Sequence, residues 1–279
     1  MALPQQLRHA VRYWGTRVLQ CHGEDCSGPR RMWERVSSRS GSIRIHGMPF
    51  CFPSCFEREL CRRFQRLQGE RAVQARPKRR VPLGLLMLAR ADVTGAQVRQ
   101  ALAEHHRDTG VRIGECMQRL GYASEPQVTA ALAMQWQCPV LNAMPQQIRD
   151  CGLPHGLLTR FQMLPVHFSW PVQTIHFAFA HEIAYRALVG IEQMLDCKTE
   201  ACLTTPTEIR AAFERLELQA AAPEKQFAAR DPAEMARITS SYAARLEAED
   251  VKLVTCGELA WARIGNGRDF MNLVFQGRG

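Results

Sequence analysis

Residues 112–135 read RIGECMQRLGYASEPQVTAALAMQ, and residues 82–105, thirty positions earlier, read PLGLLMLARADVTGAQVRQALAEH. Laid over each other, Leu83 meets Ile113, Gly84 meets Gly114 and Met87 meets Met117; Val98 meets Val128, Ala101 meets Ala131 and Leu102 meets Leu132. A fixed period of this kind means that one supersecondary unit is used twice. Each copy reads as a short helix, a turn and a longer helix. Thr94-x-x-Gln97 and Ser124-x-x-Gln127 fit a capping box at the start of the longer helix. Gly121 stands where the short helix of the second copy must stop, in the left-handed position that glycine fills at least cost.

The pattern Arg-apolar-Gly, then Gly, then a closing Gln resembles the tandem cyclic-di-GMP-binding motif in the N-terminal domain of type II secretion and type IV pilus assembly ATPases, the GspE/MshE/PilB type. The second copy carries it whole: Arg112, Ile113, Gly114, Gly121 and Gln135. The first copy keeps Leu83 and Gly84, but has Pro82 in place of the arginine, Ala91 in place of the second glycine and His105 in place of the glutamine. The resemblance implies cyclic-di-GMP as a ligand held by these residues. It continues more weakly to about residue 216 and does not cover residues 1–80 or the last sixty. The residue types suit such a ligand on physical grounds. Arginine offers a planar fork and a stacking face, glycine lets backbone approach, and glutamine pairs a donor with an acceptor. A purely structural use of the same residues, in helix packing and capping, stands beside that reading.

With 46% hydrophobic and 23% charged residues over 279 positions, the composition is that of a globular protein of two or three units. No run approaches the roughly 18 apolar residues of a membrane span, and the first residues lack the apolar core of a signal peptide. Eleven cysteines without an export signal predict a reducing, cytoplasmic setting in which thiols bind metal or are buried.

Cys21-x4-Cys26 and Cys51-x3-Cys55 are the metal candidates. Two strand-like runs, 32–36 and 42–46, predict a hairpin between the pairs, joined by the polar turn 37–41. Phe56, Leu60, Phe64 and Leu67 then fall on one helical face. Hairpin and helix with a ligand pair at the helix start resemble a treble-clef zinc module. Four thiolates close a tetrahedral structural zinc site and leave no vacancy for catalysis. Metal-free buried cysteines, or a site using His22 or His46, are the alternatives.

Charge is uneven. Residues 1–90 hold 18 Lys/Arg against 6 Asp/Glu, a net of +12 in a chain whose total is +9. The basic stretch 62–80 suits nucleic acid, anionic lipid or an acidic partner surface, although its one aromatic residue, Phe64, falls on the apolar helical face and none is left for base stacking. Further on, 162–168 and 174–180 read as strands, 183–195 as a helix led by the polar pair His181-Glu182, 201–203 as a strand and 206–216 as a helix capped by Thr205. The tail predicts a helix over 232–248 and strands at 251–256, 259–264 and 270–275.

These readings give an α+β multidomain chain: a four-cysteine zinc module at 1–67, a basic linker at 68–80, the tandem helical repeat at 81–139, a small α/β unit at 140–217, a linker at 218–230 and a helix with a three-stranded meander at 231–279. No phosphate-binding P-loop, no Gly-x-Ser-x-Gly and no His-Glu-x-x-His occurs in the sequence. The expected function is that of a non-enzymatic adaptor or sensor with a protein partner in a secretion, pilus or membrane-associated assembly. A zinc-containing nucleic-acid-binding protein and a structural component without a nucleotide ligand are the competing readings.

Overall fold

A computed structural model of the chain describes residues 21–24, 26, 42–72, 80–108, 110–145, 151–217, 222–266 and 269–276. The chain divides into two compact units. One combines Met1–Val73 with Pro223–Gly279, and the other is Gln74–Ala222.

In the first unit, β1 (Ser42–Ile45) turns back through His46 and Gly47 into β2 (Met48–Cys51). Helix α1 (Ser54–Ala72) follows. Strand β1 thus forms a hairpin with the segment that ends in Cys51; the expected run at 32–36 and turn at 37–41 lie outside the described residues. Both turn residues have positive φ, +49° and +78°, the geometry that suits a two-residue hairpin. This two-residue turn was not among the expected ones.

The C-terminal segment completes the same sheet. Strands β7 (Asp250–Cys256), β8 (Leu259–Gly265) and β9 (Phe270–Gln276) form the expected meander. Strand β1 pairs in parallel with β7 through Arg44–Asp250 and Ile45–Val251. At the other edge, β6 (Glu224–Phe227) pairs in parallel with β9, inside the stretch assigned to a linker at 218–230. Its sequence Glu-Lys-Gln-Phe carries one apolar residue, as an edge strand allows, so no alternation marked it. The sheet order is β2-β1-β7-β8-β9-β6.

Helix α1 and helix α9 (Pro232–Arg245) cover one face. Phe56, Leu60 and Phe64 are fully buried there with Ile45, Ala262, Leu273 and Phe275. Phe64 meets Phe275 edge-on at 5.5 Å, and Phe227 stacks on Phe275 at 5.5 Å. The residues set apart as an N-terminal module and a C-terminal meander thus share one hydrophobic core. The linker expected at 68–80 begins as the last helical turn of α1, through Ala72.

The second unit opens with the repeat: α2 (Leu83–Ala89) and α3 (Gly95–Arg107), then α4 (Ile113–Arg119) and α5 (Glu125–Trp136). Both capping boxes are formed, Thr94 with Gln97 and Ser124 with Gln127. Leu83, Met87, Ala101, Met117, Val128 and Ala131 share the core. Gly114 marks the closest approach: a Cβ there would stand 2.8 Å from Val128 Cγ1, and the matching Gly84 position is 3.0 Å from Val98 Cγ1. The short helices therefore seat on a valine of the long ones so closely that a side chain would force a shift at Gly114 and crowd its neighbour at Gly84.

Both short helices end alike. Tyr122 N–H donates to Met117 O (2.8 Å) past Gly121 at φ +70°, and Asp92 N–H donates to Met87 O (3.0 Å) past Ala91 at φ +58°. Beyond the repeat, α6 (His155–Phe161) leads into a three-stranded sheet of β3 (Met163–Ser169), β4 (Thr174–Phe179) and β5 (Lys198–Leu203). Strands β3 and β4 are antiparallel; β4 and β5 are parallel, joined by α7 (Tyr185–Leu195). Helix α8 (Pro206–Glu217) ends the unit, and Thr205 Oγ1 accepts from Glu208 N–H at 3.3 Å as its cap.

Two predictions follow from the repeat. An exposed alanine in the left-handed region costs about 1–2 kcal/mol, partly offset by the greater entropy that glycine loses on folding. Ala91→Gly should therefore stabilise the protein by about 0.5–1 kcal/mol and Gly121→Ala should destabilise it comparably, read by denaturant melts. Gly114→Ala should cost about 1–3 kcal/mol by overpacking. Adding Val128→Ala should recover about 1 kcal/mol of the summed single-variant losses, the coupling expected of side chains in contact.

Candidate functional site

The first candidate is the cysteine cluster. Cys21 and Cys26 come from the segment before β1, Cys51 closes β2 and Cys55 lies in the first turn of α1. Their four sulfurs lie within 4.8 Å of one another, and Cys26 Sγ is 3.8 Å from Cys51 Sγ. Sulfurs about 2.3 Å from a common tetrahedral centre stand roughly 3.8 Å apart, so the spacing matches. The surroundings also suit anionic sulfur. The N–H groups of Gly23 (3.4 Å) and Cys51 (3.3 Å) donate to Cys21 Sγ, and a Cβ on Gly23 would crowd Cys55 Cβ at 3.2 Å.

The thiols cannot all ionise unaided. Burial, then the neighbouring sulfurs Cys21 and Cys26, push Cys51 up to about 12 and Cys55 up to about 11. For Cys21 burial acts upward, but the Cys51 and Gly23 N–H groups with the other sulfurs outweigh it and hold the thiol below its ordinary value. A divalent cation at the centre supplies the charge that three or four thiolates need, so the cluster could hold a metal. The histidine alternative has no support at His46, whose Nε2 lies 3.0 Å from both the N–H and the carbonyl oxygen of Leu253. Among the described residues no other group of three or more candidate ligands gathers. Cys202 Sγ instead donates to Phe177 O at 3.4 Å.

The second candidate is a cavity of about 460 Å³ in the repeat-bearing unit. Six of the eight residues that the motif singles out line it: Leu83, His105, Arg112, Ile113, Gly114 and Gln135. Gly84 and Gly121 do not; the first seats α2 on Val98 and the second ends α4. Arg112 is the N-cap of α4, with extended backbone (φ −69°, ψ 148°), and Pro82 holds the equivalent place before α2 (φ −56°, ψ 138°).

Two side chains tie the copies together reciprocally. Gln135 Nε2 donates to Val81 O at 2.7 Å, while His105 Nδ1 lies 2.6 Å from Val111 O and must carry the proton there. Val81 and Val111 are thirty residues apart, as are His105 and Gln135, so each copy's last helix clasps the other copy's entry. His105 takes over the structural half of the glutamine's role.

The rest of the wall was not singled out. Ala180, His181 and Glu182, at the carboxyl end of β4, line the cavity with Glu115, Gln118, Trp136 and Pro206. His181 and Glu182 precede α7 and do not start it, contrary to the helix-initiating reading. Their position just past a strand that pairs in parallel is where α/β units commonly present ligand groups, and that was the available signal. Burial, then Arg112, lowers the His181 pKa, against Glu115 and Glu125. With histidines neutral, one arginine and two glutamates give the lining a formal charge of −1.

Part of the basic stretch is engaged within the chain: Arg62 pairs with Glu24 (3.1 Å) and Arg63 with Glu59 (2.8 Å). No described helix is long and apolar enough to cross a membrane.

No protein-family model matches the sequence, and no curated protein matches it. Among solved structures the chain resembles MshE with cdg, at 26% identity and a TM-score of 0.42, over 49% of this chain and 99% of that one. It also resembles the N-terminal domain of XpsE in two crystal forms, at 16% and 18% identity with TM-scores of 0.35 and 0.29. Those matches take in 48% and 46% of this chain, and 92% and 90% of the others.

Proposed function

We propose that the chain is a non-enzymatic regulatory or adaptor protein of the secretion and pilus type, with a zinc-held N-terminal module and a cyclic-di-GMP-responsive groove that adjusts its docking on a protein partner. The observation that carries this reading is the convergence of Arg112, Gly114 and Gln135, the complete half of the motif, with Leu83 and His105 on one cavity. An arginine fork beside backbone that carries no side chain suits a guanine edge and a phosphate. The lining offers no nucleophile paired with a base, and the arrangement serves recognition rather than turnover.

Two measurements test the reading. The first concerns the metal. Purified anaerobically, the protein should carry about one zinc per chain, and Cys55→Ser should lose it. Because the cysteine-bearing hairpin and α1 share a core with the C-terminal strands, chelation should lower the thermal midpoint of residues 223–279 along with that of the hairpin. Metal-free protein with an unchanged melt would refute a structural zinc.

The second concerns the ligand. Calorimetric titration with cyclic-di-GMP should show binding, and Arg112→Ala should weaken it by about 1.5–3 kcal/mol, the range of a hydrogen bond to a charged group. An anionic ligand favours protonated His181, whose ring is held neutral in the free protein by burial and Arg112. The complex therefore takes up a proton, and affinity should rise as the solution moves from about pH 7.5 towards pH 6. Binding indifferent to Arg112 would place the ligand elsewhere.

A further inference from the structure

The arginine missing from the first half of the motif has a replacement two residues away. Pro82 occupies the backbone position equivalent to Arg112 and offers no donor. Arg80 is exposed at the entry to the same helix, and its guanidinium lies over the Trp136 indole, 3.1 Å from the ring centroid. Three features fix it there. Gln135 holds the intervening Val81 carbonyl at 2.7 Å. Pro82 restricts the backbone that follows. Tyr185 packs on the other ring contact of Trp136, at a centroid distance of 6.0 Å. Pro82, Gln135 and Trp136 are all wall residues of the cavity, so the ring that carries the cation belongs to the wall and Arg80 stands beside it.

We propose that Arg80, held flat on Trp136, is the second arginine of the groove and takes the second nucleotide half of the ligand, an inference that rests on the cyclic-di-GMP reading. A guanidinium stacked on an indole uses one face for the cation–π contact. Its in-plane N–H groups remain oriented towards oxygen acceptors of a base or phosphate, and its outer face suits a base. Charge points the same way: a lining with one arginine and two glutamates is a poor host for a dianion, and Arg80 at the rim brings the balance to zero. In this arrangement the two arginines are not symmetry-equivalent. Arg112 projects from a helix cap, whereas Arg80 is splinted on an aromatic ring, so the ligand is gripped more rigidly at the Trp136 end.

The test is calorimetry of cyclic-di-GMP on the full chain with Arg80→Ala, Arg80→Lys, Arg112→Ala and Arg119→Ala, each variant also melted without ligand. Arg80→Ala should weaken binding about 10-fold with no change in the ligand-free midpoint. Arg80→Lys should recover little of it, since a lysine keeps the charge but not the planar stack. Arg119→Ala removes an exposed charge elsewhere on the repeat and should bind as the wild type does. Wild-type affinity in Arg80→Ala together with loss in Arg112→Ala would overturn the role of Arg80 and leave the groove assignment intact. Full recovery by lysine would overturn the stacking argument, and absence of binding in the wild type would overturn both readings.

Discussion

The close seating of Gly114 on Val128 is the constraint on which the candidate groove depends. A side chain at that glycine would meet a methyl group at 2.8 Å, so the two helices of the second copy could not come together as they do. Bringing α4 down onto α5 places Arg112, the cap of α4, on the same wall as Gln135 near the end of α5. Leu83 from the other copy closes over the same glycine, its Cδ2 3.4 Å from where a Cβ would stand. The structural and functional readings of this glycine therefore coincide. The contact that packs the repeat also leaves bare backbone at the cavity.

The reciprocal clasp extends this logic across the pair of copies. Gln135 reaches the entry of the first copy and His105 the entry of the second. Each bond satisfies a carbonyl one residue before the cap of a short helix and fixes where the capping residue emerges. Substituting histidine for glutamine keeps the donor and changes what is left over. Gln135 retains an amide oxygen and a second N–H, whereas His105 retains a single ring nitrogen. The first half of the groove therefore keeps its architecture while its recognition chemistry is reduced. The same holds for Ala91, which reproduces the turn of Gly121 in a left-handed conformation that alanine adopts only at a cost.

Much of this was legible in the sequence because it is local or periodic. The thirty-residue repeat, both capping boxes, the Gly121 turn, the face formed by Phe56, Leu60 and Phe64, and the three C-terminal strands all announce themselves within a window of a few residues. What escaped was set by contacts distant in the chain. Strand β6 is recognisable only by its partner β9, and β2 only by a two-residue turn that leaves it four residues long. His181 and Glu182 joined the cavity because β4 ends beside the repeat, a placement that no spacing encodes. The division at residue 67 failed for the same reason: β1 finds its neighbour in β7, more than two hundred residues later.

That long-range pairing gives the cysteine cluster a wider reach than a small metal module has by itself. In an isolated module a metal stabilises little beyond its own knuckle and helix. Here Cys51 ends the strand next to β1, and Cys55 begins the helix whose Phe64 packs on Phe275 of the far strand. Opening the cluster frees the start of α1, and with it the aromatic contacts that hold β9 and β6 together through Phe227. His46 adds a second tie, because its Nε2 lies within hydrogen-bond distance of the Leu253 backbone in β7. Burial, then Arg63, holds its pKa below the ordinary value, so this tie is fully present near neutrality and weakens as the pH falls below the usual histidine range. The hairpin thus has imidazole at its turn and the sulfurs at its open end, and were a metal held there acid would act on both in the same direction, because thiolate ligands shed a metal when they take up protons.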